Sequence, residues 1–131
     1  MPSKYKDKDV QSWTTTDFIA YMEDKHQEIF GIPYAPMRSW GAETGVLGRA
    51  VGTKTKPGKY DKEVVRRFID ITFAEYSPTE KYPGTSFMFQ YTYREQVMQR
   101  AYKDVQEDRR TIEAEAEQDI IAEDVADWFN S

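Results

Sequence analysis

The sequence predicts a mainly α fold, a small single-domain helical bundle of about four helices with a long C-terminal helix. Three observations carry that expectation. A chain of 131 residues with 39% hydrophobic and 15% aromatic content is enough for one core and too little for two. Apolar residues recur at helical spacing in segments bounded by capping residues and by glycine or proline stops. Only one short run alternates with period two, and it lacks an evident partner strand. The chain divides into a flexible charged arm over 1–12, a helical domain over 13–110 and an acidic docking tail or helix over 111–131.

Each element follows from local chemistry. Lys4, Lys6, Asp7, Lys8 and Asp9 alternate in charge, which predicts a mobile arm. Thr14 caps a helix with Asp17 three residues on, Phe18, Met22 and Ile29 recur at helical spacing, and Gly31 with Pro33 stops it, giving a helix over about 15–30. Glycines 41, 45, 48 and 52 share one helical face, which predicts a short helix around 39–51 with room for close packing. Residues 52–59 form a basic loop by composition and turn chemistry.

Asp61 caps the strongest internal segment. Val64, Val65, Phe68, Ile69, Thr72 and Tyr76 make its apolar face, with Glu63, Arg66, Arg67 and Asp70 on the other side, and Ser77-Pro78 ends it. Phe87, Phe89, Tyr91 and Tyr93 alternate in the manner of a strand. With no partner strand on offer, a helix beginning near Thr85 or Ser86 is the better reading. Val97, Ala101, Val105 and Ile112 then extend a thin apolar stripe, which predicts a long helix running out of the core into the tail.

Composition narrows the chemistry. With no cysteine there is no disulfide framework, thiolate metal site or cysteine nucleophile. Glu23 and His26 have the Glu-x-x-His spacing of di-iron bundles, but such a site needs the pair twice and the chain holds one histidine, so His26 reads as a core or boundary residue. A Ser-His-Asp arrangement would have to recruit that same residue. The 52–59 loop departs from the phosphate-binding loop of nucleotide hydrolases, with Thr53 where that motif needs glycine and Tyr60 after Lys59. No enzyme, cofactor or metal is expected. No apolar run approaches the length of a membrane span, and residues 1–10 are charged where a secretory signal is apolar, so a cytoplasmic setting with no membrane partner is expected.

Charge supplies the functional clue. The chain has 18 basic and 23 acidic residues; seven of the acids fall in 111–131, where there is no lysine or arginine, leaving 16 acids against 18 bases before that point. Within the body, Arg49, Lys54, Lys56, Lys59, Arg66 and Arg67 are candidates for one cationic patch on a nucleic-acid backbone or, alternatively, for a solvated loop whose lysines only provide solubility. Phe87, Phe89, Tyr91 and Tyr93 beside Arg94 are candidates for stacking on unpaired bases or, alternatively, for the core. In the tail, Ile121, Val125 and Trp128 share one helical face with Phe129 beside them and acids outside, the layout of a helix-in-groove ligand or, alternatively, of a terminal helix that folds Trp128 and Phe129 back onto its own domain.

Residues 122–129, with Val125 at the aliphatic position and Trp128-Phe129 as the aromatic pair, resemble the sliding-clamp-binding peptide, with Ala122 where that family has glutamine. The acidic aromatic end is also similar to the tails of single-stranded-DNA-binding proteins. In the body, Phe18 and Tyr21, Trp40-Gly41, Val64-Val65, Phe68-Ile69-Asp70, Phe73, Tyr82-Pro83 and Phe87-Met88-Phe89 resemble helical accessory domains of phage and mobile-element replication proteins. These resemblances imply a non-enzymatic adaptor or regulator of phage-type replication or transcription. Its expected partner is a protein such as a sliding clamp, a polymerase or another replication or transcription component, with DNA as a further partner of the body. Two other classes stay open: an inhibitor whose acidic helix occupies a host enzyme's nucleic-acid groove, and a virion or structural assembly protein.

Overall fold

A computed structural model describes the backbone of residues 5–130 and the side chains of residues 5–120. Five α-helices follow two short 3-10 turns, and there is no strand among the described residues. α1 spans Thr15–Phe30, α2 Trp40–Val51, α3 Lys62–Glu75, α4 Phe87–Arg94 and α5 Val97–Asn130. The expected mainly α domain with a long last helix is therefore present. It has one helix more than "about four" because a turn at Glu95 and Gln96 separates α4 from α5.

The caps act where the sequence places them. The Thr14 hydroxyl accepts from the Asp17 amide while the Asp17 carboxylate accepts from the Thr14 amide, a reciprocal box that satisfies two orphan donors of α1. Gly31 closes α1 at φ 71°, a left-handed value that favours glycine. Ser39 caps α2 and Asp61 caps α3.

α3 and α5 form the spine. Contacts pair Glu75 with Arg100, Arg67 with Asp104 and Asp108, and Asp61 and Glu63 with Arg109, so the two helices run antiparallel. Between them and α1 lies the core, where Phe18, Phe68, Phe73 and Phe87 are fully buried. Complete burial of such a ring contributes about 1.5–3 kcal/mol relative to leaving it exposed. Val97, Ala101 and Val105 bury the inner stripe of α5, and the stripe stops there: every residue from Thr111 to Ile120 is exposed.

Two expectations need correction. The arm over 1–12 is packed against the helices across its described part. Tyr5–Asp7 and Val10–Ser12 form 3-10 turns, Tyr5 and Val10 are buried, and the Tyr5 ring meets Trp13 and Tyr21 edge to face. The Tyr5 hydroxyl donates to Asp24, and the Trp13 indole donates to the Tyr5 carbonyl. Three apolar anchors, Tyr5, Val10 and Trp13, outweigh the described charges: Lys6, Asp7 and Asp9 are exposed, and Lys8 pairs with Asp17 at 3.0 Å. The glycine face of α2 is also not a close-packing seam, because a Cβ built at Gly41, Gly45 or Gly48 meets only ordinary contacts at 3.7–3.9 Å.

Candidate docking helix and basic groove

The six basic residues expected to act together are divided by the fold. Lys59 pairs with Glu95 at 2.8 Å. That bond, with a second from the Tyr60 hydroxyl, holds the Glu95 carboxyl below its usual range, while burial and then the bond to Glu95 push the Tyr60 phenol up to about 12. Arg67 faces α5 and bonds Asp108 at 2.7 Å. Arg66 lies on the α1 side, near the hydrogen-bonded pair of Tyr21 and Asp70, and its Nε is buried without a partner. Arg49, Lys54 and Lys56 remain outside ion pairs among the described residues.

Lys54 and Lys56 sit on a hydrogen-bonded hairpin. The Thr53 amide donates to the Lys56 carbonyl, Gly52 and Pro57 make an antiparallel bridge, and the amides of Lys59 and Tyr60 return to the carbonyls of Arg49 and Ala50. Gly58 is obligatory: a Cβ there would overlap the backbone of Val51 and Gly52 and lie 2.6 Å from the Ala50 carbonyl oxygen. One wall of an open groove of about 630 Å³ is this hairpin, and the other is Gln11 through Thr16 with Lys62. Three lysines and no carboxylate line it. Lys62, Thr15 and Thr16 were not among the sequence-predicted site residues. Lys62 directly follows the cap of α3, a position that reads as helix and not as loop, so only the tertiary approach of α1 reveals it.

The candidate stacking aromatics are also divided. Phe87 is buried in the core and Tyr91 is half-buried against Phe68 and Tyr60. Phe89 and Tyr93, one turn apart on the outer face of α4, are 36% and 62% exposed with ring centroids 5.1 Å apart. Arg94 beside them is tied to Glu75 at 2.8 Å.

A buried polar cluster shows why α4 is a helix despite its strand-like pattern. Its first three amides each find a different acceptor: Phe87 donates to the Tyr34 hydroxyl at 2.9 Å, Met88 to Glu43 at 3.3 Å and Phe89 to Ser86 at 3.2 Å. Glu43, 2% exposed, also accepts from the Met37 amide at 3.0 Å and the Tyr34 hydroxyl at 3.1 Å. Burial and then the Glu43 charge push the Tyr34 phenol well above its ordinary range. His26, also 2% exposed, lies 2.9 Å from the Ile32 carbonyl through Nδ1 and accepts the Thr85 amide at Nε2. The carbonyl only accepts, so Nδ1 carries the proton. With both ring nitrogens engaged, His26 holds the 31–34 and 84–86 segments together.

The acidic helix leaves the body at Arg109, whose guanidinium contacts Asp61 and Glu63 at 3.4 Å. Beyond it Ile112 and Ile120, 65% and 59% exposed, stand among Glu113, Glu115, Glu117 and Asp119. The helical backbone continues to Asn130; the side chains of Ile121, Val125, Trp128 and Phe129 lie outside the described residues. No group of three or more His, Cys, Asp or Glu that could hold a metal occurs among the described residues, and none of their helices is long and apolar enough to cross a membrane. No protein-family model, curated protein or solved structure matches the chain.

Proposed function

We propose that this chain is a non-enzymatic adaptor or regulator of phage-type replication or transcription, acting in the cytoplasm, which recruits a basic protein partner through its acidic carboxy-terminal helix. One observation carries the reading. α5 is half core and half exposed acidic shaft, with its first turns buried against α3 and every described residue past Arg110 exposed. An acidic helix in water has no packing of its own to hold it, and its acids at 113 and 117 and at 115 and 119 repel at i,i+4 spacing. A cationic surface relieves both problems. The engagement of the Lys59 and Arg67 side chains in ion pairs, and the turning of Arg66 towards α1, support a protein-directed role over a DNA-directed one.

The test uses the full chain, fluorescently labelled, titrated against a purified sliding clamp and against polymerase components. Saturable binding that weakens with salt and is lost in a V125A/W128A/F129A variant is the expected result. Binding that survives those changes and also reversal of Glu113, Glu115, Glu117 and Asp119 to Lys refutes the assignment to this helix.

The inhibitor reading has an observation of its own. Seven acids between 113 and 127, on a helix rising about 1.5 Å per residue, place roughly one charge every 3 Å, close to the 3.4 Å per phosphate of one nucleic-acid strand. Displacement of bound oligonucleotide from the partner by the full chain distinguishes an inhibitor from an adaptor, which binds without competing.

A further inference from the structure

Two features of opposite charge lie at one end of the molecule. The acidic helix departs where Arg109 contacts Asp61 and Glu63 at the amino end of α3. The lysine groove opens beside the same point: Asp61 accepts from the Gln11 side-chain amide at 3.1 Å, Lys62 donates to the Gln11 carbonyl at 3.2 Å, and Gln11 and Lys62 both line the groove. Among the described residues, the ammonium groups of Lys54, Lys56 and Lys62 make no ion pair. The helix, for its part, carries seven acids and no base over 111–131.

The helix cannot reach its own groove. α5 contains neither glycine nor proline from Val97 to Asn130, so it has no hinge at which its distal half turns back. Past Arg109 it extends about 30 Å away from the body at 1.5 Å per residue. Any anion that fills the groove comes from another molecule.

We propose that the protein forms a reciprocal dimer in which the acidic helix of each copy lies across the lysine groove of the other. The proposal rests on the reading of α5 as a charge-driven docking helix, and names a second copy as its occupant. Because helix and groove share one end, a two-fold axis past that end closes both contacts at once and yields a closed pair, not a filament. A nucleic-acid backbone has the right charge for the lysines, but a polyanion longer than the groove runs into the field of the acidic helix emerging beside it. A second copy brings seven acids and also offers three lysines to the first.

The experiment is a charge swap in the full chain, read by sedimentation velocity. Wild type is expected to show a concentration-dependent monomer–dimer equilibrium whose dissociation constant rises about tenfold or more from low to high salt. One variant, K54E/K56E/K62E, has an acidic groove and an acidic helix; the other, E113K/E115K/E117K/D119K/E123K/D124K/D127K, has a basic groove and a basic helix. Each alone is expected to be monomeric, and an equimolar mixture to form a heterodimer, a recovery that misfolded proteins cannot give. A wild type that stays monomeric at low salt, a dimer that persists in either variant alone, or a mixture that remains monomeric overturns the proposal. So does a monomeric wild type whose groove binds a labelled oligonucleotide and loses it on K54E/K56E/K62E, which assigns the groove to a phosphate backbone. If wild type is monomeric yet the helix variant loses its protein partner, self-docking fails while the docking role of α5 stands.

Discussion

Replacing Glu43 with alanine is expected to remove about 2–6 kcal/mol of stability. The loss comes from the donors left behind. The carboxylate accepts from the buried Tyr34 hydroxyl, from the amide of half-buried Met88 and from the amide of Met37, a residue 39% exposed, and Glu43 itself is 2% exposed. A buried donor stripped of its partner costs about 1–3 kcal/mol, so the Tyr34 and Met88 donors give about 2–6 kcal/mol when water reaches the Met37 amide. The loss is a large fraction of the 5–15 kcal/mol typical of a whole domain. Glu43→Gln keeps the shape and one acceptor oxygen and loses the charge at the start of α4, for an expected cost of about 1–2 kcal/mol. Urea denaturation followed by circular dichroism at 222 nm measures both, with the slope checked for constancy. A Glu43→Ala midpoint within about 1 kcal/mol of wild type, or a glutamine variant as damaged as the alanine one, refutes the account of how α4 is held.

Three further outcomes test other parts of the fold. Tyr5→Ala removes a buried ring and its bond to Asp24, with an expected loss of about 3 kcal/mol and new protease cleavage before Trp13; unchanged stability contradicts a packed amino-terminal segment. Gly58→Ala should cost at least about 2 kcal/mol because its Cβ meets backbone. Gly45→Ala, whose Cβ meets only Arg49 at 3.7 Å, should stabilise by about 0.5–1 kcal/mol, and equal effects at the two sites contradict the hairpin geometry. Tyr60, pushed up to about 12, keeps its proton after an unfolded tyrosine, at roughly 10, has released it. Its contribution is intact below roughly pH 10 and lost as the pH rises towards 12; Tyr5, Tyr21 and Tyr34 shift the same way, so urea midpoints should fall through that window, and a flat profile contradicts these contacts.

The helix boundaries were legible because caps are local. Thr14 and Asp61, expected as caps, act on amides three and two residues away, and Ser39 and Ser86, not expected as caps, act in the same local way three residues on. Charge placement was legible in part. The acidic run is contiguous, so its exposure follows from composition, whereas the fate of each body cation depends on which helix lies opposite: Arg67 meets α5, Arg66 turns to α1, and Lys59 finds Glu95 36 residues away. The polar cluster around Glu43 was not legible. A glutamate in a helix reads as a solvated residue, and nothing near position 43 signals that the amides of Met37 and Met88 converge on it. Tyr5, Val10 and Trp13 were hidden for a related reason, since three apolar residues spread through a charged stretch show no period until α1 supplies the surface they cover.

The continuity of α5 sets the mechanics of anything bound to its far end. Recruitment tails are commonly slack tethers, whose effective concentration depends on length and which leave the captured molecule free to tumble. Here the shaft is rooted in the interior through Ala101 and Val105, and it continues to Asn130 without a joint. A partner docked there as proposed is therefore held at a fixed stand-off and a fixed azimuth. Inserting one residue after Arg110 advances the partner by about 1.5 Å and swings it by roughly 100° around the shaft, so function should return with a period close to a full helical turn.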